Sequence, residues 1–371
     1  MDGKSITLCA HTIDGLASEF ENFTCHLDTL GITYTAISLP LRTSDGTIYV
    51  RSSGSTGRLV FARRLRGLVA RSLGDIFFTR HGRDSVVWIG FNPVALLASG
   101  FLRRRVFRVL WSIDFVPWQG SRLRTFGYSL IQRLAVRRAD LLIENNSVAL
   151  DARLRAAGLD PASKKRSIIV PISVDLDLYA PLPRSGGLIV GFLGSLSERT
   201  GADRLISVFE EIAVHLPDAK FEVIGGGPLL DLVRSQATHS PVSNSIDVLG
   251  FIESEEKVAS HVNRWTAGLA LFPSDERSWT RFADPQKLRL YLAAGAIPVT
   301  TSVPPSAAAI QENGLGIVVP PDASDELVGH LVGSLLSDHS ALESLCAAIE
   351  RYRPELDRRT LYARVVDVLS T

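Results

Sequence analysis

The sequence predicts an α/β protein built from two doubly wound units in tandem, with ligand expected in a cleft between their strand C-termini. Three observations carry this. Short apolar runs of strand length alternate with helix-length segments through most of the chain. The alternation pauses once, at a Pro- and Gly-containing stretch over 167–187, and then begins again. The length of 371 residues exceeds one ordinary core and suits two.

Element by element, SITLCAHT (5–12) reads as a buried strand followed by a helix near 15–29, and TYTAISLP (33–40) as a second strand. Residues 41–60, rich in Ser, Gly, Thr and Arg, read as a loop. SVVWIGFN (85–92) and FRVLWSID (107–114) are two further strands with an apolar helix between them. Residues 121–139 carry a helical period, and LLIENN (141–146) returns as a strand. After the break come LIVGFLGS (188–195), a helix over 202–215, FEVIGG (221–226), DVLGFI (247–252), GLALFPS (268–274), a helix after Asp284, IPVTT (297–301) and GIVVPP (316–321). Helices then run to the end. The expected division is a first domain over 1–180, a second over 181–355, and a last helix at 356–371 that packs back on the first domain.

Composition narrows the class. Hydrophobic residues make up 46% and charged residues 21%, both ordinary globular values. Cys9, Cys25 and Cys346 show neither disulfide nor metal spacing, which points to a reducing compartment. No apolar run of about 20 residues is present, so a cytoplasmic protein is expected. The net charge of +1 hides an asymmetry: residues 1–185 carry 25 Lys+Arg against 15 Asp+Glu, and residues 186–371 carry 15 against 24. The basic half suits an anionic surface or acceptor, and mutual attraction between two domains explains the split equally well. The near-neutral pI of 7.8 argues against nucleic acid.

The segment ADPQKLRLYLAAGAIPV (283–299) carries the sharpest signal. Asp284 suits an N-cap, Pro285 the first helical position and Gly295 the exit. Lys287 is out of place, because a cation in the first turn opposes the helix dipole at about 0.3–1 kcal/mol when exposed. An anion bound there would satisfy both the lysine and the helix start. GSLSERTG (194–201) is the second phosphate candidate, with Gly194 and Ser195 letting backbone approach a ligand and Arg199 supplying charge.

In order, GFLGSLSERTGADRLI, FEVIGGGP, DVLGFI, LFPS, KLRLYLAAGAIPV and GLGIVVP resemble the donor half of GT-B glycosyltransferases. The likeness runs over about residues 165–322 and is to bacterial family 4-like enzymes that use nucleotide sugars. It implies two Rossmann-like domains and transfer of a sugar from a nucleotide-sugar donor to a hydroxyl of a saccharide, a lipid-linked saccharide or a metabolite. No cofactor or metal is implied, the nucleotide-sugar being a substrate. By resemblance, Lys287, Arg199, Gly194, Ser195 and Asp284 hold the donor diphosphate, while Phe251, Ile252 and Glu276 border the base and sugar.

Two departures stand out. The family's customary Arg and Lys are Ser195 and Thr200 here, and its ribose-binding Glu is Leu290. The xanthan-type glucuronosyltransferase group is similar in lacking that Glu while keeping a D-x-x-K segment. In that group an Asp is read as the base that activates the acceptor; here Asp114, ending FRVLWSID, takes the place. In retaining relatives the corresponding residue positions the sugar. His11, also at a strand end, is the second catalytic candidate.

D-L-D at 175–177 imitates a metal motif but sits between the domains, so no metal is expected. Arginines mixed with large apolar residues over 100–110 and 115–138 suit docking on anionic lipid, peripherally at the inner membrane face, or holding a lipid-pyrophosphate acceptor; an ordinary helix surface around a core has the same composition. The competing reading is a catalytically weak GT-B protein that binds saccharide or serves as a scaffold, motivated by Leu290 and the missing cations.

Overall fold

A computed structural model describes residues 6–10, 18–38, 47–52, 59–62, 86–101, 105–112, 115, 122–162, 165–182, 187–274 and 279–370. The chain forms two compact units: Met1–Pro171 together with Leu361–Thr371, and Ile172–Thr360.

The first unit is organised by β1 (Ile6–Ala10), β2 (Tyr34–Ser38), β3 (Thr47–Ser52), β4 (Leu59–Ala62), β5 (Val87–Gly90), β6 (Phe107–Trp111), β7 (Leu141–Glu144) and β8 (Ser167–Ile169). They lie side by side as β4-β3-β2-β1-β5-β6-β7-β8. From β2 to β8 all pairings are parallel, with Ile6 opposite both Tyr34 and Val87, and Val87 opposite Phe107. Every residue of β1, β5 and β7 is buried, as expected when helices cover both faces. Helices α1 (Ser18–Thr29), α2 (Pro93–Ala98), α3 (Arg122–Arg138) and α4 (Ser147–Ala156) supply that cover. Asn92 and Asn146, each just past a strand end, cap α2 and α4 by accepting from the Ala95 and Ala149 amides, both at 2.8 Å.

The loop expected over 41–60 is corrected here. Residues 47–52 and 59–62 form an antiparallel hairpin on the edge of the sheet, β2 pairing with β3 and β3 with β4. TIYVRS, inside the stretch read as loop, is the first strand of this hairpin.

The second unit contains β9 (Ile189–Leu193), β10 (Lys220–Ile224), β11 (Ile246–Gly250), β12 (Ala267–Ala270), β13 (Ile297–Thr301) and β14 (Ile317–Val319). All are parallel, in the order β11-β10-β9-β12-β13-β14. This is the doubly wound order in which the winding reverses between β9 and β12, and such folds bind ligands outside the strand C-termini at that reversal. The flanking helices are α5 (Leu205–His215), α6 (Leu230–His239), α7 (Glu255–Val262), α8 (Gln286–Ala293), α9 (Ser306–Glu312), α10 (Asp325–Ser337) and α11 (His339–Tyr352).

This unit starts at Ile172, ahead of the 180/181 division read from the sequence, because 172–180 is built into it. Tyr179 and Val174 are buried in its core. The Val174 amide donates to Leu356 O and its carbonyl accepts from Arg358 N, both at 3.0 Å. Asp175 pairs with Arg358 and Asp177 with Arg359, so each carboxylate of D-L-D has a guanidinium partner. The last helix, α12 (Arg358–Ser370), buries Leu361, Tyr362, Val365 and Leu369 in the first unit's core. Its Tyr362 hydroxyl donates to buried Glu19 on α1 at 2.7 Å.

Candidate functional site

The site is assembled at the reversal between β9 and β12. Helix α8 opens at Gln286 behind Pro285, which takes the cap position without any side-chain cap. The expected Asp284 N-cap is therefore corrected. The Asp284 carboxylate is 4% exposed; it accepts from Arg289 Nε at 2.6 Å and from the Ile172 amide at 3.1 Å. Its charge is spent on Arg289, so it does not neutralise Lys287 three residues later. An engaged carboxylate also offers nothing to a diphosphate.

Lys287 Nζ is buried and has no hydrogen-bond partner among the described residues. It lies 3.9 Å from the ring centroid of Phe192 on β9 and 5.6 Å from that of Phe272, just past β12. β9 and β12 are the strands that flank the reversal. Burial lowers the Lys287 pKa from 10.5 to about 7, and its position in the first turn of α8 disfavours the cation further. Two aromatic faces offset only part of that cost. A buried amine without an acceptor is an unmet electrostatic demand, and an anion supplies what is missing.

Gly194 forms the opposite wall. Its φ is +131°, and a Cβ there would lie 3.0 Å from both Lys287 Cε and Nζ. The loop it begins is held by the glycine run 225–227. Leu196 N donates to Gly226 O at 2.9 Å, Gly225 N to Gly250 O at 2.8 Å, and Leu229 N to Leu196 O at 3.0 Å. Gly225 has φ +153°, and a Cβ on it would lie 1.8 Å from Gly194 O. Only glycine fits there, which gives GGGP a physical role the sequence motif alone left weak. Under the loop, the Leu193 amide donates to the Tyr291 hydroxyl at 3.0 Å, and that hydroxyl faces Leu269 O at 3.2 Å.

The remaining candidates divide clearly. Ser195 is exposed, and its carbonyl accepts from the Thr200 hydroxyl at 2.6 Å. Thr200 is thus used inside the loop. Arg199 is exposed in the short 3₁₀ turn Glu198–Thr200. Phe251 follows β11 and is 77% exposed, its Cβ 3.5 Å from where a Cβ on Gly226 would sit. Ile252 is half-buried. Leu290 is packed into the second unit's core. Asp114, His11 and Glu276 lie outside the described residues. Among the described residues no group of three or more His, Cys, Asp or Glu side chains comes together.

Sequence reasoning missed Phe192, Phe272 and Tyr291. Each reads as core in isolation; the available signal was that the two phenylalanines close the two strands beside the winding reversal.

Residues 187–338 match the family model described as Glycosyl transferases group 1. The matched domain lies wholly within the second unit. Lys287, the Gly194 loop and the 225–227 glycines all fall inside that domain. A curated relative, the GDP-mannose-dependent alpha-(1-6)-phosphatidylinositol monomannoside mannosyltransferase of Mycolicibacterium smegmatis, is 29% identical over 220 residues. That match spans 54% of this chain and 55% of the relative's length. Among solved structures, Anabaena Alr3699/HepE in complex with UDP superposes with a TM-score of 0.71 at 14% identity, covering 99% of both chains. A glycosyltransferase from Rickettsia africae gives 0.71 at 10% identity, covering 99% of this chain and 98% of that one. At such identities the likeness speaks to the fold, which is the expected α/β GT-B fold.

Proposed function

We propose that this protein is a glycosyltransferase that moves a sugar from a nucleotide-sugar donor to a hydroxyl acceptor. The observation that carries the reading is Lys287, a buried amine with no described partner, facing Gly194 inside a group 1 glycosyltransferase domain. As the nucleotide leaves, negative charge grows on its diphosphate. Lys287, the first-turn amides of α8 and the backbone at Gly194 and Ser195 stabilise that charge, with Arg199 reaching in from the loop. These fixed donors serve in place of a metal. Exposed Phe251 gives the base an aromatic face, with Ile252 beside it. Asp114 and His11 are the acceptor-side candidates, and Glu276 the candidate for the donor sugar.

The acceptor is a saccharide or a lipid-linked saccharide, and the basic first unit meets an anionic membrane face. Among the described residues no helix is long and apolar enough to cross a membrane, so the contact would be peripheral and cytoplasmic.

Calorimetric titration with UDP and GDP, the nucleotides that the relatives' names contain, together with dTDP, tests the reading. Binding of one nucleotide is expected, abolished in Lys287→Ala. The same variant should lose roughly a hundredfold or more in transfer rate while staying folded, and wild-type transfer should persist in a chelator. The buried apolar Leu290 favours the scaffold reading, and failure of every nucleotide to bind would put that reading first.

A further inference from the structure

Helix α3 presents the wrong face to water for an ordinary surface helix. Its inner side is conventional, with Gln132, Ala135 and Val136 buried. On its outer side Phe126 is 68% exposed, Leu130 46% and Leu134 38%. The spacing of four places them in one stripe, because each step of four advances only about 40° round a helix. Arg133 and Arg137 fall on the same arc, and both are exposed. Their guanidiniums converge, each lying 3.7 Å from where a Cβ on Gly158 would sit.

The helix sequence RLRTFGYSLIQRLAVRR holds five arginines and no acid. Among the described residues neither Arg133 nor Arg137 pairs with a carboxylate. A water-facing helix ordinarily shows polar and mixed-charge residues on this side.

We infer that this face of α3 docks on an anionic membrane surface, with Phe126, Leu130 and Leu134 seated at the headgroup–acyl boundary and Arg133 and Arg137 on lipid phosphates. Charge selects this occupant. A second copy of the chain meeting the same face across a two-fold axis would bring the arginine pairs together, and like charges in contact oppose such an interface. Three large apolar side chains are also too few for a stable dimer interface of standard size. They suffice for peripheral binding, where buried apolar area and attraction to anionic lipid add. The helix lies on the membrane and does not cross it. This gives a specific face to the peripheral contact proposed above, and it stands without the transferase reading because its test reads lipid binding alone.

The experiment is co-sedimentation of the full chain with phosphatidylcholine vesicles and with vesicles of phosphatidylcholine and phosphatidylglycerol. Binding to the mixed vesicles only, weakening as salt rises, is expected. Phe126→Ser/Leu130→Ser/Leu134→Ser should abolish it. Arg133→Gln/Arg137→Gln should weaken it about thirty-fold and flatten its salt dependence. All these side chains are exposed, so circular dichroism should match the wild type. Equal binding to both vesicle types, binding to neither, or wild-type binding by the two variants overturns the inference. So would a solution dimer that the triple variant dissolves, which would make the face a self-interface.

Discussion

Arg153 in the first unit and Lys287 in the second are both buried cations, and they are treated in opposite ways. Arg153 is 1% exposed and fully engaged. It pairs with buried Glu144 at the end of β7, donates to Gln132 Oε1 on α3 at 2.7 Å and to Ser112 Oγ just past β6, and lies 5.3 Å from the Phe115 ring centroid. Lys287 has two aromatic faces and no described acceptor. A buried charge that is satisfied by its own protein fixes structure. One left unsatisfied, with the Asp284 carboxylate just ahead of its helix turned to Arg289, is held for something that arrives later.

The sharpest way to break this contrast is stability. Arg153→Met leaves Glu144 buried without its counter-ion and should cost about 3–5 kcal/mol, read as a fall in the urea midpoint. Lys287→Met removes a desolvated amine and should leave the midpoint unchanged or raise it. Equal losses in the two variants would make Lys287 a structural residue. Next in size is Gly225→Ala. Its Cβ would press on Gly194 O and its φ of +153° suits only glycine, so a cost of about 1–3 kcal/mol is expected. It should appear as weaker nucleotide binding, because the displaced element is the Gly194 loop; undiminished nucleotide affinity would free that loop from the site.

The last effect, small over any single pH unit, is a pH dependence. In the folded state burial holds Lys287 near pKa 7, below its ordinary 10.5. Between those values the unfolded chain binds a proton that the folded chain does not. Stability of the nucleotide-free protein should therefore rise from pH 7 toward 10.5, by at most about 1.4 kcal/mol per pH unit. Below pH 7 the penalty for the buried charge is present in full. Nucleotide affinity should move the other way, falling above pH 7 as the amine must gain a proton to meet the diphosphate. Both slopes should vanish in Lys287→Met, and a calorimetric pH series checks them together.

Much of the architecture was legible because parallel strands buried on both faces write continuous apolar runs, as in LIVGF and LLIE. The edge hairpin of β3 and β4 was not, since its strands are short and the sequence around them is rich in turn-forming residues. In the site, Lys287 was legible as a cation in the wrong turn. What surrounds it was not. The amide that holds Asp284 lies 112 residues away in sequence, and the hydroxyl that meets Arg153 lies 41 away. No local pattern records such a partner. The exposed stripe on α3 had a compositional hint, but sequence spacing could not say which face of the helix the first unit would cover.

The last helix has a consequence for how the protein is made. The second unit is one unbroken stretch, Ile172–Thr360, and can close as soon as it leaves the ribosome. The first unit is synthesised earlier, yet its core includes Leu361, Tyr362, Val365 and Leu369, and Tyr362 supplies the partner for buried Glu19. The half that is translated first is thus finished last, and until α12 emerges it holds an open apolar seam for chaperones to shield.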